Sequence, residues 1–344
     1  MLRANLTAPF TIELQEKSIP EITDSDVLLK IHYVGICGSD IQMYHGKHKY
    51  MTFPVVFGHE LPASIVKTGK NVTGFAAGDL VTVEPQIYCG ECYPCRSGRF
   101  NVCERLKVQG VHADGYMAQL VVVDAKFLHK CTRDMNPQQV ALVEPLAVGV
   151  GAVKRAPNYK DANVLVVGAG TIGNMTAQAA KALGAAKVMV SDINGKKLAL
   201  AKECGIDVAV NVAETSLTDA IETHFGMRKA DIIIDAAATR SGFKSILEVA
   251  RRSSSVVITG NYKDPLEVEM PLIQRQEITL YGHMMYVRED FADAIAFIRE
   301  GKIHTDGFIT AVYPFRKTLE AFRYIDEFPN DVMKILVDVQ NLEG

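Results

Sequence analysis

Long apolar runs are missing from this chain. Nowhere do 18 consecutive residues stay hydrophobic, so no segment is expected to span a membrane. The opening residues, MLRANLTAPFTIELQEKS, lack the apolar stretch and small-residue cleavage site of a secretory signal. An excess of positive charge is missing too. The 37 Lys and Arg against 40 Asp and Glu leave a net charge of -3, which argues against a general affinity for nucleic acid. There are no internal repeats and no low-complexity stretch. The expectation is a cytoplasmic protein, in a compartment where disulfides are disfavoured.

What is present fits a globular protein of about two domains, given 344 residues. Hydrophobic residues at 48% and charged residues at 22% allow sizeable cores. The first half reads as β-rich, with short apolar or alternating runs at 27–34 and 80–84, often interrupted by Gly and Pro. Near 147–159 the pattern changes. Strand-like runs at 164–167, 187–191, 232–234, 256–259 and 278–281 then alternate with helical stretches such as 175–183 and 196–204. That alternation predicts an α/β region with a parallel sheet. The tail carries helical patterns at 291–299 and 318–326 and a last strand at 334–337.

Seven cysteines are present, and four fall close together: Cys89, Cys92, Cys95 and Cys103, spaced C-x2-C-x2-C-x7-C. In a reducing compartment such crowding favours a metal site. Four sulfurs converging from one tight loop match the closed tetrahedral shell of structural zinc. Disulfides, an iron–sulfur cluster and metal-free thiols are the competing readings. A closed shell leaves no position for chemistry, so this site is expected to shape a lobe.

A second constellation is scattered. Cys37, Ser39 and Asp40 sit in GICGSD, His59 and Glu60 in GHE, and Glu144 in EP. A catalytic zinc needs few protein ligands and an open position. Cys37 offers a thiolate, His59 an imidazole, and Glu60 or Glu144 a carboxylate. The plainer alternative is a buried Cys, a satisfied His and surface acids. The distances along the chain leave that alternative open on the residues alone.

The third feature is Gly168-Ala169-Gly170-Thr171-Ile172-Gly173, directly after the strand run 164–167 and opening a helical run. Asp192 closes the next strand run. This is a dinucleotide-binding fingerprint in its required context. The helix start offers free N–H groups to a pyrophosphate. Asp192 suits the ribose hydroxyls and would repel a 2′-phosphate, favouring NAD over NADP.

Together these pieces resemble the zinc-containing medium-chain dehydrogenase/reductase family over essentially the whole chain. Glu144, where other branches carry a Cys ligand, resembles the polyol branch of sorbitol, threonine and sugar-acid dehydrogenases. The resemblance implies a GroES-like β-rich catalytic domain from residues 1–150, completed by 287–344. It implies a Rossmann NAD-binding domain at 151–286, with the active site in the cleft. It also implies a homodimer or homotetramer, one catalytic and one structural zinc per chain, and NAD. Lys197 stands where sorbitol dehydrogenases place an Arg near the adenosine ribose. Thr171, Ile172 and Gly260 complete the expected cofactor contacts.

The expected reaction is oxidation of a secondary alcohol of a polyol, sugar or sugar acid to a ketone. Zinc would act as a Lewis acid and NAD would accept the hydride. Ser39 is the expected first proton acceptor, and Asp40 is expected to hold the loop. Many relatives end the proton relay on a His three residues after that Ser. Gln42 stands there instead, so His45 becomes the candidate relay or substrate group. Met285-Tyr286 replace the Arg-Tyr pair of sorbitol dehydrogenases, which argues against sorbitol itself. His48, His112, Tyr44 and Tyr286 are further candidates for lining the cleft. A threonine or other amino-alcohol dehydrogenase is the alternative substrate class. A zinc hydrolase has no use for the dinucleotide turn, and a catalytically idle NAD-binding relative would not need the intact ligand set.

Overall fold

In the computed structural model residues 1–343 are described. Internal contacts divide the chain into two units, Met1–Glu144 together with the stretch from Phe308 onward, and Pro145–Gly307. The return to the first unit thus comes at Phe308, later than the boundary of 287 expected from the sequence. The helix Arg288–Arg299 stays with the second unit. Phe291 packs on Tyr286 with ring centroids 5.2 Å apart, and Lys154 pairs with Asp290 at 2.9 Å and Asp293 at 2.6 Å.

The first unit is built on an antiparallel five-stranded sheet in the order Leu120–Asp124, Asp26–Ile31, Ala63–Thr68, Leu80–Val83, Leu128–Lys130. A three-stranded sheet places Lys334–Asp338 between Ile309–Pro314 and Tyr33–Gly35. The apolar run expected as one strand at 27–34 is therefore two. The break falls at His32, whose N–H is taken by the Pro62 carbonyl at 3.1 Å and whose ring meets Ser64 at 2.7 Å. This hands the chain from one sheet to the other just before Cys37. An N-terminal hairpin, Leu2–Ala8 against Thr11–Glu16, was not signalled by the sequence pattern.

The second unit is a six-stranded parallel sheet in the order Val208–Asn211, Lys187–Asp192, Asn163–Val167, Ile232–Asp235, Ser255–Ile258, Thr279–Gly282. Strand Asn163–Val167 is buried throughout, as a central parallel strand covered on both faces must be. Leu165, Met189, Ile233 and Val256 on four neighbouring strands meet Ile221 and Ile246 from helices in one core. The order reverses direction at Asn163–Val167, so the Gly-rich turn lies at a switch point, the usual crevice for ligands in such sheets.

Candidate functional site

The four cysteines Cys89, Cys92, Cys95 and Cys103 come together with all their sulfurs within 4.8 Å of one another. Measured pairs are Cys89–Cys95 at 4.0 Å, Cys92–Cys103 at 3.8 Å and Cys89–Cys103 at 3.5 Å. A tetrahedron with zinc–sulfur bonds of about 2.3 Å has edges of about 3.8 Å. The cluster therefore has the dimensions of a zinc shell. None of the seven cysteines is in a disulfide. Backbone N–H groups of Cys92 and Arg105 donate to the Cys89 and Cys103 sulfurs at 3.4 and 3.3 Å, as they do to thiolates. The Cys92 amide pulls the Cys89 thiol down to about 6, while burial pushes Cys95 up to about 12. Four crowded thiols cannot all ionise unless a cation joins them.

The scattered constellation also converges. Cys37, His59 and Glu60 place ligand atoms within 4.8 Å of one another. Cys37 caps the helix Gly38–Tyr44, where its N–H donates to Asp40 Oδ2 at 2.8 Å. Glu60 reaches the cluster across a bridge to Gly35, whose N–H donates to the Glu60 carbonyl at 2.8 Å. A Cβ at position 35 would strike the Glu60 carboxylate, so only glycine leaves room for it. His59 Nδ1 and Asp40 Oδ1 are buried 3.8 Å apart without a hydrogen bond. Burial alone would lower the His59 pKa. Asp40, Cys37 and Glu144 outweigh it and hold His59 well above the ordinary imidazole value. The pocket is thus over-supplied with negative charge and favours a cation. Glu144, buried in the first turn of the helix Val143–Arg155, acts electrostatically on both His59 and Lys334, but it is not in the three-residue cluster.

Lys334 is the residue that sequence reasoning missed. It begins the strand Lys334–Asp338, is only 3% exposed, and donates to Glu60 Oε1 at 2.7 Å and to the Ile36 carbonyl at 3.2 Å. Burial opposes its charge. Glu60, Cys37 and Glu144 outweigh burial and keep its pKa above the usual lysine value. The only available signal was a lysine opening an otherwise apolar strand, and its partner lies 274 residues away.

The remaining candidates separate. The Ser39 hydroxyl, half-buried in the first turn after Cys37, has no hydrogen-bond partner among the described residues. His45 caps the other end of the same helix, and its Nε2 meets Asp326 at 2.9 Å. Tyr44 and Tyr286 are core residues, packed on Phe10 and Phe322, and on Phe291, respectively.

In the second unit the Gly-rich turn has the expected form. Strand Asn163–Val167 leads into it and helix Thr171–Ala182 leaves it, with Gly170 at the N-cap. A Cβ on Gly173 would collide with the Gly168 carbonyl oxygen, so helix and turn pack this closely only with glycine there. Thr171 and Ile172 are half-buried in the first turn of that helix. Asp192 ends the next strand and braces the turn: its Oδ2 accepts from the Ala169 N–H at 2.6 Å and its Oδ1 from the Asn194 N–H at 2.9 Å. Each oxygen keeps a lone pair for a further donor. Beside it Ile193 is 73% exposed, an apolar surface next to a polar acceptor. Lys197 lies in the first turn of the helix Gly195–Glu203, and Gly260 follows the strand Ser255–Ile258, with its N–H donated to the Asp235 carbonyl at 2.8 Å.

Comparison with known proteins agrees with both halves of this geometry. Residues 23–133 match the alcohol dehydrogenase GroES-like domain, and residues 171–300 match the zinc-binding dehydrogenase domain. An L-galactonate-5-dehydrogenase of Escherichia coli is 33% identical over 314 residues, covering 91% of this chain and 92% of its own. The structure of an Escherichia coli galactitol-1-phosphate dehydrogenase superposes with a TM-score of 0.92 at 28% identity, covering 98% of this chain and 100% of that one. An alcohol dehydrogenase of Escherichia coli solved with NADH gives 0.90 at 30% identity, covering 98% and 99%.

Proposed function

The chain belongs to the zinc-dependent medium-chain alcohol dehydrogenase family, in its polyol and sugar-acid branch, and on that premise we propose that it oxidises a secondary alcohol of a polyol, sugar or sugar acid to the ketone with NAD. The observation that carries this reading is the convergence of Cys37, His59 and Glu60 in a pocket whose charge calls for a cation. In this reading Cys37, His59 and a carboxylate of Glu60 or Glu144 hold a catalytic zinc, and Cys89, Cys92, Cys95 and Cys103 hold a structural one. When bound, zinc supplies Lewis acidity and NAD accepts the hydride.

The chain's own residues do the rest. Ser39, with its free hydroxyl beside Cys37, accepts the substrate hydroxyl proton. Asp40 holds the Cys37 loop through the Cys37 N–H. Lys334 balances Glu60 and fixes its carboxylate. Gly168, Gly170, Thr171, Ile172 and Gly173 seat the pyrophosphate at the helix N-terminus. Asp192 and Lys197 take the adenosine ribose, and Gly260 lies along the cofactor. Gln42 cannot ionise, so the proton passes to His45, whose imidazole Asp326 orients, or to water.

Two further expectations complete the reading. The strand Thr279–Gly282 is an edge of its sheet with Leu280 exposed, which suits pairing with a second copy in a homodimer or homotetramer. Among the described residues no helix is long and apolar enough to cross a membrane, and the free cysteines suit the cytoplasm.

The test is NADH formation from a panel of polyols, aldonates and threonine by the zinc-loaded protein. Turnover of a polyol or aldonate supports the reading. Turnover of threonine alone would replace it with an amino-alcohol dehydrogenase.

A further inference from the structure

Two segments flank the Cys37–His59 cluster and share an unusual composition. Residues 45–50 read HGKHKY and residues 105–112 read RLKVQGVH. Neither contains a carboxylate. Arg105 is paired with Glu91, while Lys47, Lys49 and Lys107 have no ion-pair partner among the described residues. The first segment leaves the helix that Cys37 caps, a helix of seven residues and so about 10 Å long. The second packs beside His59: the Gly110 backbone lies against Gly58, and the Gly58 carbonyl accepts from the Tyr116 N–H at 3.1 Å.

The segments meet through their rings. Tyr50 stands between two imidazoles, with centroids 6.2 Å from His48 and 6.4 Å from His112. Tyr50 is 74% exposed, and its hydroxyl has no partner among the described residues. Both imidazoles are fixed in the same tautomer. His48 Nδ1 accepts from the Tyr50 N–H at 3.4 Å and His112 Nδ1 from the Val108 N–H at 3.0 Å. A neutral ring whose Nδ1 accepts carries its proton on Nε2. Each ring therefore offers a free N–H donor. Burial, with His112 acting on His48 and Lys107 acting on His112, keeps both below the ordinary imidazole pKa. Three donors without acceptors, among three unpaired lysines, favour an anion, held by charge-assisted hydrogen bonds.

We propose that His48, Tyr50 and His112 form a subsite for the anionic end of an acidic polyol, a carboxylate or a phosphate ester, drawn in by Lys47, Lys49 and Lys107. This rests on the dehydrogenase reading above and narrows its substrate class to acidic rather than neutral polyols. The three ring residues select the substrate's charged end and take no part in the hydride transfer.

The test is direct binding to the zinc-loaded protein labelled with nitrogen-15 at histidine. D-gluconate, glycerol phosphate and sorbitol are added in turn. The expected result is a shift of the His48 and His112 Nε2 signals with gluconate or glycerol phosphate and none with sorbitol. The stronger of the two anions identifies the carboxylate or the phosphate as the group recognised. Binding should weaken at least about tenfold in His48→Ala and His112→Ala, equal to about 1.4 kcal/mol. It should weaken with added salt, and also in Lys107→Gln, which keeps both rings. No shift with either anion, or an equal shift with sorbitol, overturns the subsite. Kinetics separate the two claims. If the anions shift both rings but no alcohol yields NADH, the subsite stands and the dehydrogenase reading falls. If neutral polyols are oxidised as well as acidic ones, and the His48 variant leaves their ratio unmoved, the subsite falls and the dehydrogenase reading stands.

Discussion

The two cysteine-bearing centres are built in opposite ways. One takes all four sulfurs from residues 89–103, a single irregular loop. The other draws Cys37 from a helix cap, His59 and Glu60 from an adjoining bridge, and its balancing Lys334 from the last strand. The first is closed: four thiols at tetrahedral spacing leave no position free. The second has three candidate ligands, an unengaged Ser39 hydroxyl and a surplus of negative charge. A local, closed site shapes its own loop. A site assembled from distant elements depends on the fold of its unit, and can keep a coordination position for substrate.

That difference can be broken most severely at Lys334. With no metal at the Cys37 centre, replacing Lys334 by Met leaves Glu60 buried without a cation, a loss of about 3–5 kcal/mol. Denaturant unfolding should show the loss in Lys334→Met and a substantial recovery in Lys334→Met with Glu60→Gln. The four-cysteine loop makes no use of this pair and should keep its metal in the double variant. Equal stability of Lys334→Met and wild type would contradict the role given to Lys334.

A smaller effect is expected at Glu144, which acts on the open centre without belonging to its tight cluster. Glu144→Ala should cut turnover about 10- to 100-fold, as removal of groups around a metal does. NAD binding, measured by fluorescence titration, should stay near normal. Wild-type turnover in this variant would leave Glu60 as the only relevant acid.

Asp192 should give NAD at least about a tenfold advantage over NADP, or about 1.4 kcal/mol. Asp192→Ser should erase that preference in kcat/KM. Because Asp192 also braces the Ala169 N–H, the variant should lose some affinity for both cofactors. An unchanged preference would remove Asp192 from cofactor selection.

The smallest effect concerns the proton's exit. The pH profile of turnover is compared for wild type, Gln42→His and His45→Ala. A profile moved by His45→Ala and unmoved by Gln42→His makes the His45–Asp326 pair the acceptor. A profile moved by neither sends the proton out through water.

What the sequence made legible follows the same division between local and distant. The four cysteines and the Gly-rich turn were readable because each is contiguous and its spacing is a geometric requirement. The alternation after residue 160 announced the parallel sheet, since buried strands there are continuously apolar. The scattered centre was readable only through short motifs, because nothing in Cys37 by itself points to His59. Lys334 and the His45–Asp326 pair were not legible, with partners 274 and 281 residues away. Tyr44 and Tyr286 fill cores instead, on Phe322 and Phe291. An aromatic near a motif has the same sequence signature whether it lines a cleft or fills one. The break at His32 was hidden for a similar reason: both strands it separates are apolar, and only their different partners distinguish them.

The asymmetry of the two centres is tested most directly by counting zinc and turnover together during mild chelation. Two zinc ions per chain are expected, of which the one at Cys37 leaves first and takes turnover with it. The ion at Cys89, Cys92, Cys95 and Cys103 stays, and the circular dichroism spectrum is unchanged. Loss of both ions in step, with turnover unaffected, would contradict it.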